Sequence, residues 1–409
     1  MLMTADTLLT GRELLRPGWI EVSHSMVHAV GTGAAPRPAD CDFGAVTVVP
    51  GFVDTHLHGG GGANFSTASH ADTSTAVALH RRHGTTTLVA SLVTAGPAEL
   101  LRQVGELAED VRAGLIAGIH LEGPWLSTTR CGAHQPSLMR DPEPAEIDRV
   151  LDAGGGAIRM VTLAPERDGA LAAIGQIVDA GVVAAVGHTE ATYEQTRAAI
   201  AAGATVGTHL FNAMRPIDRR EPGPIIALLE ESRVTVELIT DGVHVDPAIY
   251  RHVTHSAGPD RVSLVTDAMA ATGMADGVYH LGPSAVDVVD GVARVAGTQT
   301  IAGSTATMDR VFRFAVTHSG LPRDEALMLA VRQASLNPAR ALGMPFSGLV
   351  PGATADLVVL DSDLAVTGVL RQGSWLIEPE TISRSRRQGS NPRGWKDASG
   401  ADLAADGGG

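Results

Sequence analysis

Two hydrophobic rhythms alternate along this chain. Short runs rich in Val, Ile, Leu, Thr and Ala fall at residues 47–55, 85–91, 115–121, 157–163, 182–187, 205–209, 234–240 and 261–266. Such runs, bounded by turn residues, read as strands buried on both faces. Between them lie amphipathic stretches, among them 72–83, 97–111, 192–202 and 247–255, whose apolar positions recur at helical spacing. Eight strands alternating with helices fit a closed parallel (β/α)8 barrel; a doubly wound open sheet is the alternative. The two ends of the chain read differently. Residues 1–47 carry alternating runs such as Trp19-Ile20-Glu21-Val22 and Met26-Val27-His28-Ala29-Val30, too few strands to bury a core alone. Ala355-Asp356-Leu357-Val358-Val359-Leu360 is the clearest strand near the other end. The ends are therefore expected to pair, giving a small β domain from 1–47 plus 346–380 around a barrel domain at 48–345. Residues 381–409, rich in Arg, Ser, Gly and Asp, are expected to form a disordered tail.

Composition sets limits on this picture. A chain of 409 residues suits one barrel of roughly 250 residues plus a small second domain. Aromatics make up only 3% of a chain that is 44% hydrophobic, so aliphatic side chains and Ala must fill the core. The 31 basic residues are outnumbered by 45 acidic ones, and a net charge of −14 argues against nucleic acid or an anionic membrane as partner. An anionic small molecule would need a local cluster of Arg, His and backbone N–H groups. No apolar run reaches the ~18 residues of a membrane span, and the first residues lack a basic segment followed by an apolar core. Two cysteines, Cys41 and Cys131, give no disulfide framework; together these features suggest a reducing cytoplasm.

Chemistry gathers at the strand ends. The first strand runs into Asp54-Thr55-His56-Leu57-His58 and the third ends His120-Leu121-Glu122. The fifth ends Gly187-His188, the sixth Thr208-His209, the seventh runs into Asp241-Gly242-Val243-His244, and the eighth ends Thr266-Asp267. A barrel converges such ends on one mouth, which favours it over the open sheet. His56 and His58, two apart on a strand, share a face and can reach one ion. With Glu122, His188, His209 and Asp267 they offer imidazole and carboxylate ligands suited to zinc first, though iron, manganese, cobalt or cadmium could use the same set. His120 shares a strand face with Glu122 but is read as structural.

These motifs resemble the amidohydrolase superfamily and, within it, the N-acetylglucosamine-6-phosphate deacetylases. The resemblance rests on Pro50-Gly51-Phe52-Val53-Asp54, the Gly59–Gly62 run, His120-Leu121-Glu122-Gly123-Pro124 and Gly132-Ala133-His134. It continues through Gly187-His188-Thr189, His209-Leu210-Phe211-Asn212-Ala213-Met214, Arg220-Glu221-Pro222-Gly223, Asp241-Gly242-Val243-His244, Thr266-Asp267-Ala268 and Ile301-Ala302-Gly303-Ser304. It covers about 48–345 and implies a TIM barrel with a small β-sandwich built from both chain ends. Many binuclear relatives bridge two metals with a carbamylated lysine at the end of the fourth strand. Here that strand ends Thr162-Leu163-Ala164-Pro165-Glu166, and the chain's single lysine is Lys396 in the tail. Glu122 must then take that role, which favours the deacetylase branch over hydantoinase-like and dihydroorotase-like relatives.

The resemblance also implies site residues. Glu122, His188 and His209 would hold the principal divalent metal, and His56, His58 and Asp267, bridged by Glu122, a second; one or two ions per subunit are expected. Asp267 would be general base and then acid, with His134 assisting at the oxyanion. Ala133, His134, Asn212, Ala213, Arg220, His244, Ile301, Ala302 and Gly303 would contact a sugar phosphate, Arg220 as the phosphate anchor. Arg215 and Arg219 are read as surface charges, and Cys131 as shaping its loop. The implied reaction converts N-acetyl-D-glucosamine 6-phosphate to D-glucosamine 6-phosphate and acetate, in amino-sugar catabolism and cell-wall recycling, by a cytoplasmic homodimer. The rivals are another metal-dependent amidohydrolase, such as an N-acyl-amino-acid deacylase or dipeptidase, and an inactive structural homologue.

Overall fold

The computed structural model describes residues 1–346 and 348–381. Almost all of the tail expected to be disordered, with Lys396, lies outside the described residues. Eight parallel strands pair in sequence order: β1 (Phe52–Leu57), β2 (Thr85–Leu92), β3 (Gly118–Glu122), β4 (Ile158–Leu163), β5 (Val183–Val186), β6 (Val206–Gly207), β7 (Thr235–Ile239) and β8 (Val262–Val265). Beyond the strand ends β8 meets β1: Asp267 N–H donates to the His56 carbonyl at 2.8 Å and His58 N–H to the Ala268 carbonyl at 2.7 Å. The barrel thus closes through the residues that carry its candidate chemistry. A helix follows each strand, for example His70–Arg82, Pro97–Arg112, Tyr193–Ala201 and Pro247–Ala257. Tyr193–Ala201 starts at a capping box in which Thr192 and Gln195 satisfy each other's backbone N–H groups. Strand and helix side chains such as Leu88, Ile119, Val161, Ile174, Leu228 and Phe312 form one continuous core with no accessible surface to speak of.

The expected first strand, 47–55, divides at Gly51. Thr47–Pro50 joins the small domain, pairing parallel to Thr7–Leu9 and antiparallel to Leu357–Leu360, while Phe52–Leu57 enters the barrel. Gly51 is required at this junction, since a Cβ there would lie 2.1 Å from Thr86 Oγ1. The small domain has a four-stranded and a six-stranded sheet drawn from both chain ends. They enclose a separate core that includes Met3, Ile20, Val48 and Leu357. A three-stranded antiparallel sheet, Gly277–Leu281, Ser284–Val289 and Val292–Val295, was not anticipated. Its strands interleave His280, Asp287 and Arg294 with Val and Ala, which weakens their hydrophobic signal. It packs its buried face on Met269, Ala270 and Ala302 and forms one side of the barrel mouth.

Candidate active site

His56 projects from β1 with His58 just past its end, Glu122 ends β3, and His188, His209 and Asp267 are each the second residue beyond β5, β6 and β8. The last three have left-handed backbones, with φ of 47°, 27° and 47°. Each costs about 1–2 kcal/mol for a non-glycine residue. The strain ends the strand abruptly and turns the side chain across the mouth; it also cuts the expected strand 205–209 back to Val206–Gly207. Glu122 is the hub. Its Oε1 lies 3.0 Å from His188 Nε2, 2.9 Å from His209 Nε2 and 3.4 Å from His56 Nε2. Its Oε2 lies 3.1 Å from both His58 Nε2 and His134 Nε2. Asp267 Oδ1 is 3.2 Å from His58 Nε2 and 3.7 Å from His56 Nε2.

Hydrogen bonds on the far side of the His58, His188 and His134 rings fix what the inner nitrogen of each can do. A carbonyl only accepts, so His58 Nδ1 donates to Ser91 O at 3.2 Å and His188 Nδ1 to Arg130 O at 2.9 Å. In their neutral forms both therefore turn a bare Nε2 lone pair inward, as a metal ligand must. His134 is the opposite case. Thr94 N–H donates to its Nδ1 at 3.1 Å, so the proton of the neutral ring sits on Nε2 and points into the site. His134 is thereby a hydrogen-bond donor rather than a ligand. His120 uses both nitrogens on hydroxyls, Ser91 Oγ at 2.9 Å and Thr162 Oγ1 at 2.8 Å, and has none left for an ion.

Electrostatics agree with a cation at this point. His56, His58, Glu122 and Asp267 are buried together. Burial disfavours a charged His58, but its bonds to Asp267 and Glu122 outweigh this and raise its pKa to about 9. His56 is raised well above the usual histidine range, again against burial, by the charges of Glu122 and Asp267. Burial works against the Asp267 carboxylate too, yet His56 and His58 hold it at about 2. Burial, helped by the neighbouring His188 and His58, drives His134 down to about 4 against the pull of Glu122, leaving it neutral. His56 Nε2 is buried without any hydrogen-bond partner. Three overlapping groups, His56–His58–Glu122, His56–His209–Asp267 and Glu122–His134–His188, each bring ligand atoms within 4.8 Å of one another. Converging imidazole nitrogens and carboxylate oxygens, one of them an orphan, fit a divalent ion.

The centre opens into a cavity of ≈ 400 Å³. Ala133, His134, Asn212, Ala213, His244, Ile301 and Gly303 line it together with His58, Glu122, His188, His209 and Asp267. Ala302 does not; its side chain is buried against the three-stranded sheet. Arg220 also stands outside the lining, in an exposed loop where its N–H caps Asp218. Arg130, which sequence reasoning passed over, does line the cavity, and its guanidinium pairs with Glu190. Arg215, read from sequence as a surface charge, approaches the same carboxylate at 3.8 Å, so two cations share one anion beside the cavity. His244, buried but paired with Asp241 at 2.8 Å, is held above the usual histidine range. Cys131 is partly exposed and is not among the lining residues. Two further residues act behind the centre. Asp54 accepts from Thr266 Oγ1 at 2.5 Å beneath Asp267. Glu237 meets His56 Nδ1 at 3.2 Å. Its signal was readable: a lone acid inside the apolar run Val234–Ile239.

Comparison with known proteins places the site in a family. Residues 47–380 match the amidohydrolase family. The N-acetylglucosamine-6-phosphate deacetylase of Danio rerio is 39% identical over 363 residues, covering 84% of this chain and 87% of its own. The N-acetylgalactosamine-6-phosphate deacetylase of Escherichia coli O157:H7 is 36% identical over 377 residues, covering 90% and 98%. Among solved structures, the D267A variant of N-acetyl-D-glucosamine-6-phosphate deacetylase from Mycobacterium smegmatis, in complex with N-acetyl-D-glucosamine-6-phosphate, is 75% identical. Its TM-score is 0.92, with 92% of this chain and 99% of that one covered.

Proposed function

The chain belongs to the amidohydrolase family, and from that premise we propose that it hydrolyses the acetamide of N-acetyl-D-glucosamine 6-phosphate to D-glucosamine 6-phosphate and acetate. The observation that carries the reading is the Glu122-centred cluster with Asp267 and the His134 donor at the floor of one cavity. Glu122, His188 and His209 would hold a principal ion, and His56, His58 and Asp267, with Glu122, would hold a second; zinc suits this nitrogen and oxygen set. When bound, the ion acidifies water and polarises the acyl oxygen.

The remaining work falls to the chain's own side chains. Asp267 takes the proton of the attacking water as the C–O bond forms at the acetyl carbon. It returns that proton to the amide nitrogen as the C–N bond breaks, so that a neutral amine departs. His134 Nε2–H donates to the acyl oxygen as negative charge grows there. Ile301 and Gly303 border the sugar, and Asn212-Ala213 with His244 reach toward the phosphate. Arg130 supplies the guanidinium of this chain that faces the cavity. Arg220, exposed outside its own cavity, is available to a second copy, which accords with a homodimer. A cytoplasmic role in amino-sugar catabolism and cell-wall recycling follows from the substrate; no helix among the described residues is long and apolar enough to cross a membrane.

Acetate release by metal-loaded protein tests the reading, with N-acetylglucosamine 6-phosphate, its unphosphorylated sugar and N-acetylgalactosamine 6-phosphate compared side by side. A strong preference for the glucosamine phosphate ester is expected. Equal rates with and without phosphate would direct the search to other amides, and preference for the galactosamine ester would move the assignment to the C4 epimer.

A further inference from the structure

A buried carboxylate with no Arg or Lys beside it needs a reason, because desolvation penalises its charge strongly. Glu237 is such a group. It sits in the middle of β7, 2% exposed, between Val236 and Leu238, which are fully buried. It does not line the cavity and cannot touch a substrate there. Every polar group turned toward it is a donor. Its Oε2 meets His56 Nδ1 at 3.2 Å and, at 3.4 Å, the backbone N–H of His209. Its Oε1 meets the Thr55 hydroxyl at 3.3 Å. Glu237 therefore ties the floor of β1 to the strained residue after β6, beneath both halves of the cluster.

The partners of the other rings make this contact distinctive. His58 and His188 rest their outer nitrogens on neutral backbone carbonyls. Among the histidines that meet Glu122, namely His56, His58, His134, His188 and His209, it is His56 whose Nδ1 rests on a carboxylate. A carboxylate behind the ring holds the proton on Nδ1, fixes the ring plane, and makes Nε2 a stronger electron-pair donor. Nε2 of His56 faces the cluster without a hydrogen bond of its own.

We infer that Glu237 is a positioning residue for the second ion: through His56 it sets that ion's affinity without contacting the substrate. The inference rests on the two-ion reading given above, in which His56, His58 and Asp267 form the second site. The ring contact is shorter than the one to the His209 backbone, so the principal ion depends on Glu237 less.

The test is a competition titration of metal-free protein with Zn2+ against a chromophoric chelator, with bound metal counted by elemental analysis. Wild type, Glu237→Gln and Glu237→Leu are compared. Gln keeps an acceptor oxygen for His56 and offers its NH2 to the Thr55 oxygen, so this variant retains the packing even if Leu does not fold. Wild type should bind two equivalents. In Glu237→Gln the second equivalent should weaken about 10-fold and in Glu237→Leu about 100-fold, with the first changed only a few-fold, in line with measured effects of such outer partners. A second equivalent bound as tightly in Glu237→Gln as in wild type overturns the inference while leaving the two-ion reading intact. Equal weakening of both equivalents also overturns it, since that is the mark of a general structural role. A wild type that binds one equivalent overturns the two-ion reading and this inference with it.

Discussion

Replacing Gly303 by Ala puts the placement of Asp267, the proposed general base, to the test. Gly303 has φ of +63°, and a Cβ added there would lie 2.8 Å from the Asp267 carbonyl oxygen. That oxygen is held by Ser304 N–H at 2.7 Å, and Asp267 N–H by the His56 carbonyl, so the Asp267 backbone has little room to retreat. The left-handed conformation costs an alanine about 1–2 kcal/mol. Forcing the methyl against backbone costs about 1–3 kcal/mol more. A loss of roughly 2–5 kcal/mol should lower the melting temperature by about 2–6 °C in a chain this long. The kinetic effect should be larger than the stability loss suggests, because displacement of a catalytic group by about 1 Å can cost 10²-fold. The expected outcome is a kcat reduced by about 10- to 100-fold with the principal ion retained, read by steady-state acetate release, elemental analysis and thermal melts. Wild-type kcat together with a wild-type melting temperature would refute the claim that this glycine sets the Asp267 position.

Other outcomes follow from the same geometry. His134→Gln should lower kcat by about 10²- to 10³-fold while leaving the metal content unchanged; loss of an ion instead would make His134 a ligand. In metal-free wild type, the His134 ring nitrogens should show the Nε2–H tautomer by 15N NMR, with the neutral form persisting down to pH near its value of about 4. Arg130→Ala should raise KM for the phosphate ester by about 10-fold, the worth of one charge-assisted contact, and leave hydrolysis of the unphosphorylated sugar unchanged. His58 in the metal-free protein stays protonated up to about pH 9. A second ion must displace that proton, so its affinity should rise with pH up to about 9 and then level off; calorimetry in buffers of different ionisation enthalpy should detect the released proton, and pH-independent affinity would contradict the assignment.

Most of the barrel was legible because its strands are short, β-branched and separated by amphipathic stretches. The six strand ends announced themselves through His, Glu and Asp set against apolar runs. What the sequence concealed is physical in origin. The division of 47–55 at Gly51 depends on Thr86, which comes from a distant strand and leaves no local trace. The short β6 reflects strain at His209, and strain is a property of the closed barrel rather than of the residues 205–209. The outward position of Arg220 and the inward one of Arg130 turn on loop paths, and both residues lie in Gly- and Pro-rich segments where hydrophobic patterning is silent. Thr94, which decides the role of His134, meets its Nδ1 through the backbone N–H and, at 3.0 Å, through its hydroxyl, a contact made between residues forty apart that leaves no local pattern.

The bonds that close this barrel are also the bonds that position its chemistry. His56 gives its carbonyl to Asp267 while its ring faces the cluster, and His58 gives its N–H to Ala268 while its Nε2 meets Asp267. Asp54, one turn of the pleat below His56, accepts from Thr266 and anchors the same junction from underneath. A change that loosens the seam between β8 and β1 must therefore move Asp267 relative to His56 and His58. A change on the opposite side, at β4 for example, leaves that geometry alone. Strain at His188, His209 and Asp267 is tolerated because each is tied on its far side: His188 by the Arg130 carbonyl, His209 by the Glu237 carboxylate, and Asp267 by the seam itself. The stability of the fold and the placement of the proposed acid, base and ligands are thus two consequences of one set of hydrogen bonds.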